Sequence, residues 1–235
     1  MRHLIIASTS TLHGGSPLEY LLNPLGELFK NVSEILFIPY ARPSGISYED
    51  YTRAVAKAFQ TIDKSIRGIH EFDDEISAIT QAEGIFTGGG NTFVLVNQLH
   101  KKGLIPTLKG VINRGTPYLG TSAGSNICGL TMGTSNDMPI VYPPSFNTLG
   151  IVPFNINPHY LDPDPNSTHM GETRETRIKE FHKFNTQPVI GLREGSWLEV
   201  QSDRIVLKGN LPARVFEYGK SPYEVEIGTD LSHLK

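Results

Sequence analysis

The sequence predicts an α/β protein: a mostly parallel central sheet, helices on both of its faces, and a small antiparallel part towards the C-terminus. Three observations point there. Short unbroken apolar runs alternate with stretches of helical periodicity through the first half of the chain. Two of those runs stop at turns of small residues, G-G-G-N at Gly88–Asn91 and G-T-S-A-G at Gly120–Gly124. From Trp197 onward the pattern changes to strict alternation, the period of strands buried on one face.

The elements follow in order. Leu4–Ala7 is a buried strand leading into the polar loop S-T-S. Pro17–Lys30 carries leucines at helical spacing, interrupted by Pro24 and Gly26. Glu34–Pro39 is the next strand, Ser47–Ile62 an amphipathic helix, Ile66–Phe72 an alternating strand and Asp74–Ala82 a helix. Gly84–Thr87 is a strand closing on G-G-G-N, with Asn91 or Thr92 placed to cap a helix that starts near Phe93. Pro117–Gly120 is a strand that turns sharply at Ser122 into a helix start. Residues 131–157 are rich in Pro, Asn, Thr and Gly and read as loops with short strands. Arg174–Phe184 is a helix capped by Thr173, Val189–Leu192 a last buried strand, and Trp197–Val200, Arg204–Leu207 and Arg214–Tyr218 are antiparallel strands. No repeat or linker interrupts this succession, so one domain over residues 1–235 is expected.

Composition excludes several functions. A net charge of -3 offers no electrostatic case for binding nucleic acid or an anionic membrane. The single cysteine, Cys128, rules out an internal disulfide and a multi-cysteine zinc site, and it reads as packing on the helix face after the turn. There is no H-E-x-x-H, and D-P-D-P at Asp162–Pro165 lacks the spacing of a calcium loop, so neither metal nor cofactor is expected. The N-terminal apolar run is too short for a secretory leader, and a cytoplasmic protein is expected.

The chemistry gathers at Ser122. A strand–turn–helix elbow lifts a serine clear of the sheet, and small neighbours permit the strained turn. A serine hydroxyl needs a base and a place for the oxyanion. The N–H of Ala123, at a helix N-terminus, is one donor for that charge. Gly90, in the glycine loop, is the expected second donor; the loop matches neither nucleotide-binding pattern. Of eight histidines, His159 in N-I-N-P-H-Y is the candidate base, stiffened by Pro158 and flanked by apolar residues. Two carboxylates qualify to orient it, Asp137 in T-S-N-D-M-P and Glu194 in R-E-G-S-W, and spacing does not choose between them.

These segments carry a resemblance along nearly the whole chain. F-I-P at Phe37, G-G-G-N-T-F at Gly88–Phe93, S-A-G at Ser122, N-D-M-P-I-V at Asn136–Val141, I-N-P-H at Ile156–His159, G-E-T-R-E at Gly171–Glu175 and G-L-x-E-G-x-W at Gly191–Trp197 resemble the peptidase E family. Those enzymes are cytoplasmic α-aspartyl dipeptidases with a class I glutamine amidotransferase-like fold. The resemblance implies Ser122 as nucleophile, His159 as base, and Asp137 and Glu194 at positions associated with the charge relay. It implies a small-molecule substrate, an Asp-Xaa dipeptide, cleaved without a metal by a monomer or homodimer. It also sets Arg174 where a guanidinium would grip the substrate aspartate. G-T-S-A-G-S stands where enterobacterial members have G-W-S-A-G-A, which bears on fine preference. The alternatives are a serine hydrolase acting on cyanophycin-like or isoaspartyl substrates, and a non-enzymatic anion binder. The loop over residues 142–165 is the candidate for excluding longer peptides.

Overall fold

The computed structural model describes residues 1–43, 45–164, 166, 168 and 170–234; Pro165, at the end of the D-P-D-P segment and of the 142–165 loop, lies outside them. The chain runs β1 (His3–Ala7), α1 (Leu22–Leu28), β2 (Glu34–Ile38), α2 (Tyr48–Gln60), β3 (Ser65–Gly68), α3 (Glu75–Gln81), β4 (Gly84–Thr87), α4 (Thr92–Lys101), α5 (Leu104–Arg114), β5 (Tyr118–Thr121) and α6 (Ala123–Asn126). It continues with β6 (Asn155–Pro158), α7 (Arg174–Phe181), β7 (Val189–Leu192), β8 (Ser196–Gln201), β9 (Arg204–Gly209), β10 (Ala213–Phe216) and β11 (Tyr223–Val225).

The main sheet has the order β3-β2-β4-β5-β1-β8-β9. Its first five strands are parallel, and β8 and β9 add antiparallel to the free side of β1. Side chains alternate across it. Leu4 and Ile6 of β1 pack with Leu95, Leu99, Leu108 and Ile112 of α4 and α5. Ile5 and Ala7 pack with Leu25 of α1 and with Val55 and Phe59 of α2 on the other face. Both faces are therefore covered, which is why the parallel strands read as unbroken apolar runs.

A second sheet, β11-β10-β7-β6, joins the first core through Ile156, Ile190 and Val215. The sequence leaves open which sheet each later strand joins. Val189–Leu192 is not a strand of the main sheet but pairs parallel with β6, and the C-terminal strands divide between the two sheets. Alternation gives each strand a buried face without saying which sheet it faces.

Three elements differ locally from expectation. The helix expected over 17–30 begins only at Leu22, because Leu18 sits at φ 60° with its N–H on the Ser10 carbonyl, and a 3-10 turn intervenes. Pro24 then falls in the first turn of α1, where helical N–H groups have no partner to lose. The strand expected over 66–72 ends at Gly68, where the Glu71 carboxylate accepts the Gly68 N–H and closes a 3-10 turn. Helix α5 was not among the elements anticipated; Pro106 masks it, although Leu104, Leu108, Val111 and Ile112 lie on one face.

Candidate active site

The turn at Ser122 is held by three close approaches. Ser122 has φ 53° and ψ −111°, between β5 and α6, and its N–H donates to the Ala7 carbonyl at the end of β1. A Cβ on Gly120 would stand 2.4 Å from the Gly124 carbonyl oxygen, and one on Gly124 would stand 2.1 Å from that of Thr87. Only glycine lets these backbones meet. A non-glycine residue in such a conformation costs about 1–3 kcal/mol, which the surrounding sheet must offset.

His159 arrives from the second sheet. It follows β6 and also has positive φ, 54°. Its backbone N–H donates to the Ser8 hydroxyl at 2.9 Å, and that hydroxyl donates to the Leu192 carbonyl at 2.7 Å. The preceding Pro158 carbonyl accepts from the Asn136 amide at 2.7 Å. Ser8, which sequence reasoning passed over, thus ties β1 to the ends of β6 and β7. Its one signal was a polar residue at the carboxyl end of a buried strand, a position where functional groups collect.

The three side chains form a line. His159 Nε2 lies 2.8 Å from Ser122 Oγ, and His159 Nδ1 lies 2.6 Å from Glu194 Oε1. A carboxylate only accepts, so Nδ1 carries the proton and Nε2 is free to accept from the serine hydroxyl. Of the two carboxylates left open by the sequence, Glu194 is the one at His159. Asp137 stands elsewhere: its Oδ2 accepts from the Thr92 N–H at 2.7 Å, the Thr92 hydroxyl at 2.6 Å and the Ser135 hydroxyl at 3.0 Å. It caps the first turn of α4, and these donors fix it there rather than at the imidazole. Asn91 is the N-cap of the same helix, accepting from the Val94 N–H and donating to the Met138 carbonyl.

The glycine loop, through Gly89, and Ala123 both border the serine. A Cβ on Gly89 would come within 2.9 Å of Ser122 Cβ, which places the glycine loop directly against the elbow. Among the described residues, the N–H groups of Gly90 and Ala123 meet no protein acceptor. Cys128 is buried beneath the elbow, and burial pushes its thiol up to about 12, far from a reactive thiolate. No group of three or more His, Cys, Asp or Glu converges on a metal position among the described residues.

Arg174 opens α7 and lines a cleft of about 490 Å³ together with Asn136, Leu161, Thr173 and Arg177. Asn136 also donates to the Pro158 carbonyl, one residue before His159. Burial lowers the Arg174 guanidinium pKa, Arg177 adds to that, and Asp137 partly offsets it. Among the described residues no carboxylate lies within ion-pair distance of Arg174. Asp162, Asp164 and Glu172 line the same cleft, outside ion-pair distance of Arg174.

An ion-pair chain braces the same region. Arg193, next to Glu194, binds Asp162 and Glu224 through paired contacts of 2.8–3.0 Å, and Arg214 links Glu224 to Glu175 on α7. The arginines hold Asp162 and Glu224 below the usual carboxylate range, and Lys179 and Arg214 do so for Glu175. Carboxylates depressed on folding stabilise above their unfolded pKa of about 4, and that stabilisation is lost as pH falls through the folded values. Tm should therefore decline from about pH 5 towards pH 3, and Arg193→Met should start lower at pH 7 and decline less steeply. Parallel slopes for the two proteins would refute this origin.

The fold and the site define the class: this is a serine peptidase on a mostly parallel α/β sheet. Residues 4–208 match the family model described as Peptidase family S51. The chain is 47% identical over 232 residues to Peptidase E of Streptomyces coelicolor, covering 99% of this chain and 94% of that protein. It is 43% identical over 236 residues to the "Probable alpha-aspartyl dipeptidase" of Drosophila melanogaster, covering 99% and 97%. A crystal structure of a peptidase from an acI-B1 Actinobacterium superposes with a TM-score of 0.70 at 16% identity, over 98% of this chain and 96% of the other, a likeness of fold. The chain belongs to peptidase family S51.

Proposed function

We propose that this peptidase hydrolyses dipeptides with an N-terminal aspartate through an acyl-enzyme on Ser122. The observation that carries the reading is the unbroken line from Glu194 through His159 to Ser122. His159 Nε2 takes the hydroxyl proton as Ser122 Oγ attacks the scissile carbonyl. Glu194 keeps Nδ1 protonated and stabilises the imidazolium that forms. The Gly90 and Ala123 N–H groups receive the oxyanion. His159 then passes its proton to the leaving amine, and water, deprotonated by the same nitrogen, releases aspartate. Arg174 pairs with the aspartate side chain of the substrate, two parallel N–H donors meeting two carboxylate oxygens. Asp137 serves this site indirectly, by capping α4.

The same reading has the enzyme work as one domain in the cytoplasm, as a monomer or homodimer, on free dipeptides rather than on nucleic acid or membranes. No helix among the described residues is long and apolar enough to cross a membrane.

The test is a panel of Asp-Xaa, Asn-Xaa, Glu-Xaa, N-acetylated and isoaspartyl dipeptides, with chelator present. Cleavage confined to free α-Asp-Xaa is expected. Cleavage of the isoaspartyl or neutral members instead would overturn the substrate, and cleavage of none would overturn the reaction. Arg174→Met should lower kcat/KM on Asp-Xaa by about 100-fold, the loss of one charge-assisted contact of ~3 kcal/mol. Equal losses on Asp-Xaa and Asn-Xaa would show that Arg174 does not read the carboxylate.

A further inference from the structure

The peptide joining Gly89 to Gly90 is held by neither strand nor helix, since β4 ends at Thr87 and α4 starts at Thr92. Two glycines in sequence allow such a peptide to rotate at little cost. Its orientation matters, because the carbonyl and the N–H of a trans peptide point in opposite directions. With one orientation the Gly90 N–H faces the serine side; with the other, a carbonyl oxygen would meet the oxyanion and repel it.

Two side chains grip the carbonyl. Tyr51 Oη donates to the Gly89 oxygen at 3.3 Å, and Arg42 Nε donates to the same oxygen at 3.2 Å. The Arg42 guanidinium lies 4.9 Å from the centroid of the Tyr51 ring, so each side chain braces the other. Tyr51 is itself fixed edge-on against Phe37, with ring centroids 4.9 Å apart. Burial pushes its phenol up, which keeps it a donor. On the far side of Gly90 the Asn91 N–H donates to the Ala41 carbonyl at 2.7 Å. Gly90, at φ 144°, leaves no room for a Cβ against that same carbonyl.

We propose that Arg42 and Tyr51 are positioning residues that lock the Gly89–Gly90 peptide with its N–H towards the oxyanion, Arg42 also polarising the peptide with its charge. The inference rests on the reading of Gly90 as an oxyanion donor. Two sequence-distant elements, the loop after β2 and helix α2, thereby act on the transition state without touching the substrate.

The experiment compares Tyr51→Phe, Arg42→Met and Arg42→Lys with the parent enzyme. Three quantities are read: kcat and KM on an Asp-Xaa dipeptide, inhibition by the aldehyde analogue of aspartate, and the Kd of free aspartate. The aldehyde adds Ser122 Oγ to its carbonyl carbon, and the hemiacetal oxygen takes the oxyanion position. Losing a whole oxyanion donor costs about 100- to 1000-fold, so freeing one to rotate should cost about tenfold in kcat. Expected are that loss for Tyr51→Phe and Arg42→Met, an equal rise in aldehyde Ki, an unchanged KM and aspartate Kd, and partial recovery in Arg42→Lys. Unchanged kcat in both variants overturns the clamp, and so does a rise in aspartate Kd matching the loss of activity. A parent enzyme that cleaves Asp-Xaa yet binds the aldehyde no better than aspartate overturns the oxyanion reading itself, and the clamp with it.

Discussion

Ser122→Ala lowers kcat/KM on Asp-Xaa dipeptides by a factor on the order of 10⁶, the scale found when a serine nucleophile is removed. Stability should hardly change. The hydroxyl has one side-chain partner, His159 Nε2, and the pair is only partly buried. Losing such a bond costs about 0.5–1.5 kcal/mol. The strained backbone at φ 53° is the same for alanine as for serine, and the glycines around it are untouched. Steady-state kinetics with a thermal melt, and loss of labelling by a covalent serine probe, check this. A variant retaining a tenth of the activity would remove Ser122 from the chemistry.

Glu194→Gln should cost about 10⁴-fold in kcat, because an amide opposite Nδ1 no longer enforces the tautomer that leaves Nε2 free to accept. Asp137→Asn makes the matched comparison. Its carboxylate accepts from Thr92 and Ser135, not from His159, so the expected loss is of helix-capping energy, about 1 kcal/mol, seen as a lower Tm. Activity should fall far less than in Glu194→Gln, through loosening of the loop that precedes α4. The reverse ranking, with Asp137→Asn the more damaging to kcat, would reassign the relay.

Much of this site was legible in local patterns. The elbow at Ser122 could be read because a buried strand, small residues and a helix start are neighbours in the chain. His159 could be read because the nucleophile required a base and P-H-Y offered a stiff, half-apolar setting. The choice between Asp137 and Glu194 could not. His159 is 35 residues from Glu194 and 37 from Ser122, and no local property records such a meeting. Ser8 was invisible for the same reason: its importance lies in joining β1 to strands of another sheet.

The division follows from the range of the forces involved. Apolar periodicity, turn residues and caps act within a few positions, so the sequence by itself determined the parallel strands, most helices and the strained elbow. The family resemblance rested on motifs of that same short range. Which strand joins which sheet depends on pairing between distant segments, each of which has a buried face that several partners would satisfy. Only the tertiary structure decided that β8 extends the main sheet at β1 while β7 lies beside β6. That one choice brings Glu194, at the turn between β7 and β8, to His159 at the end of β6, and leaves Asp137 to the cap of α4.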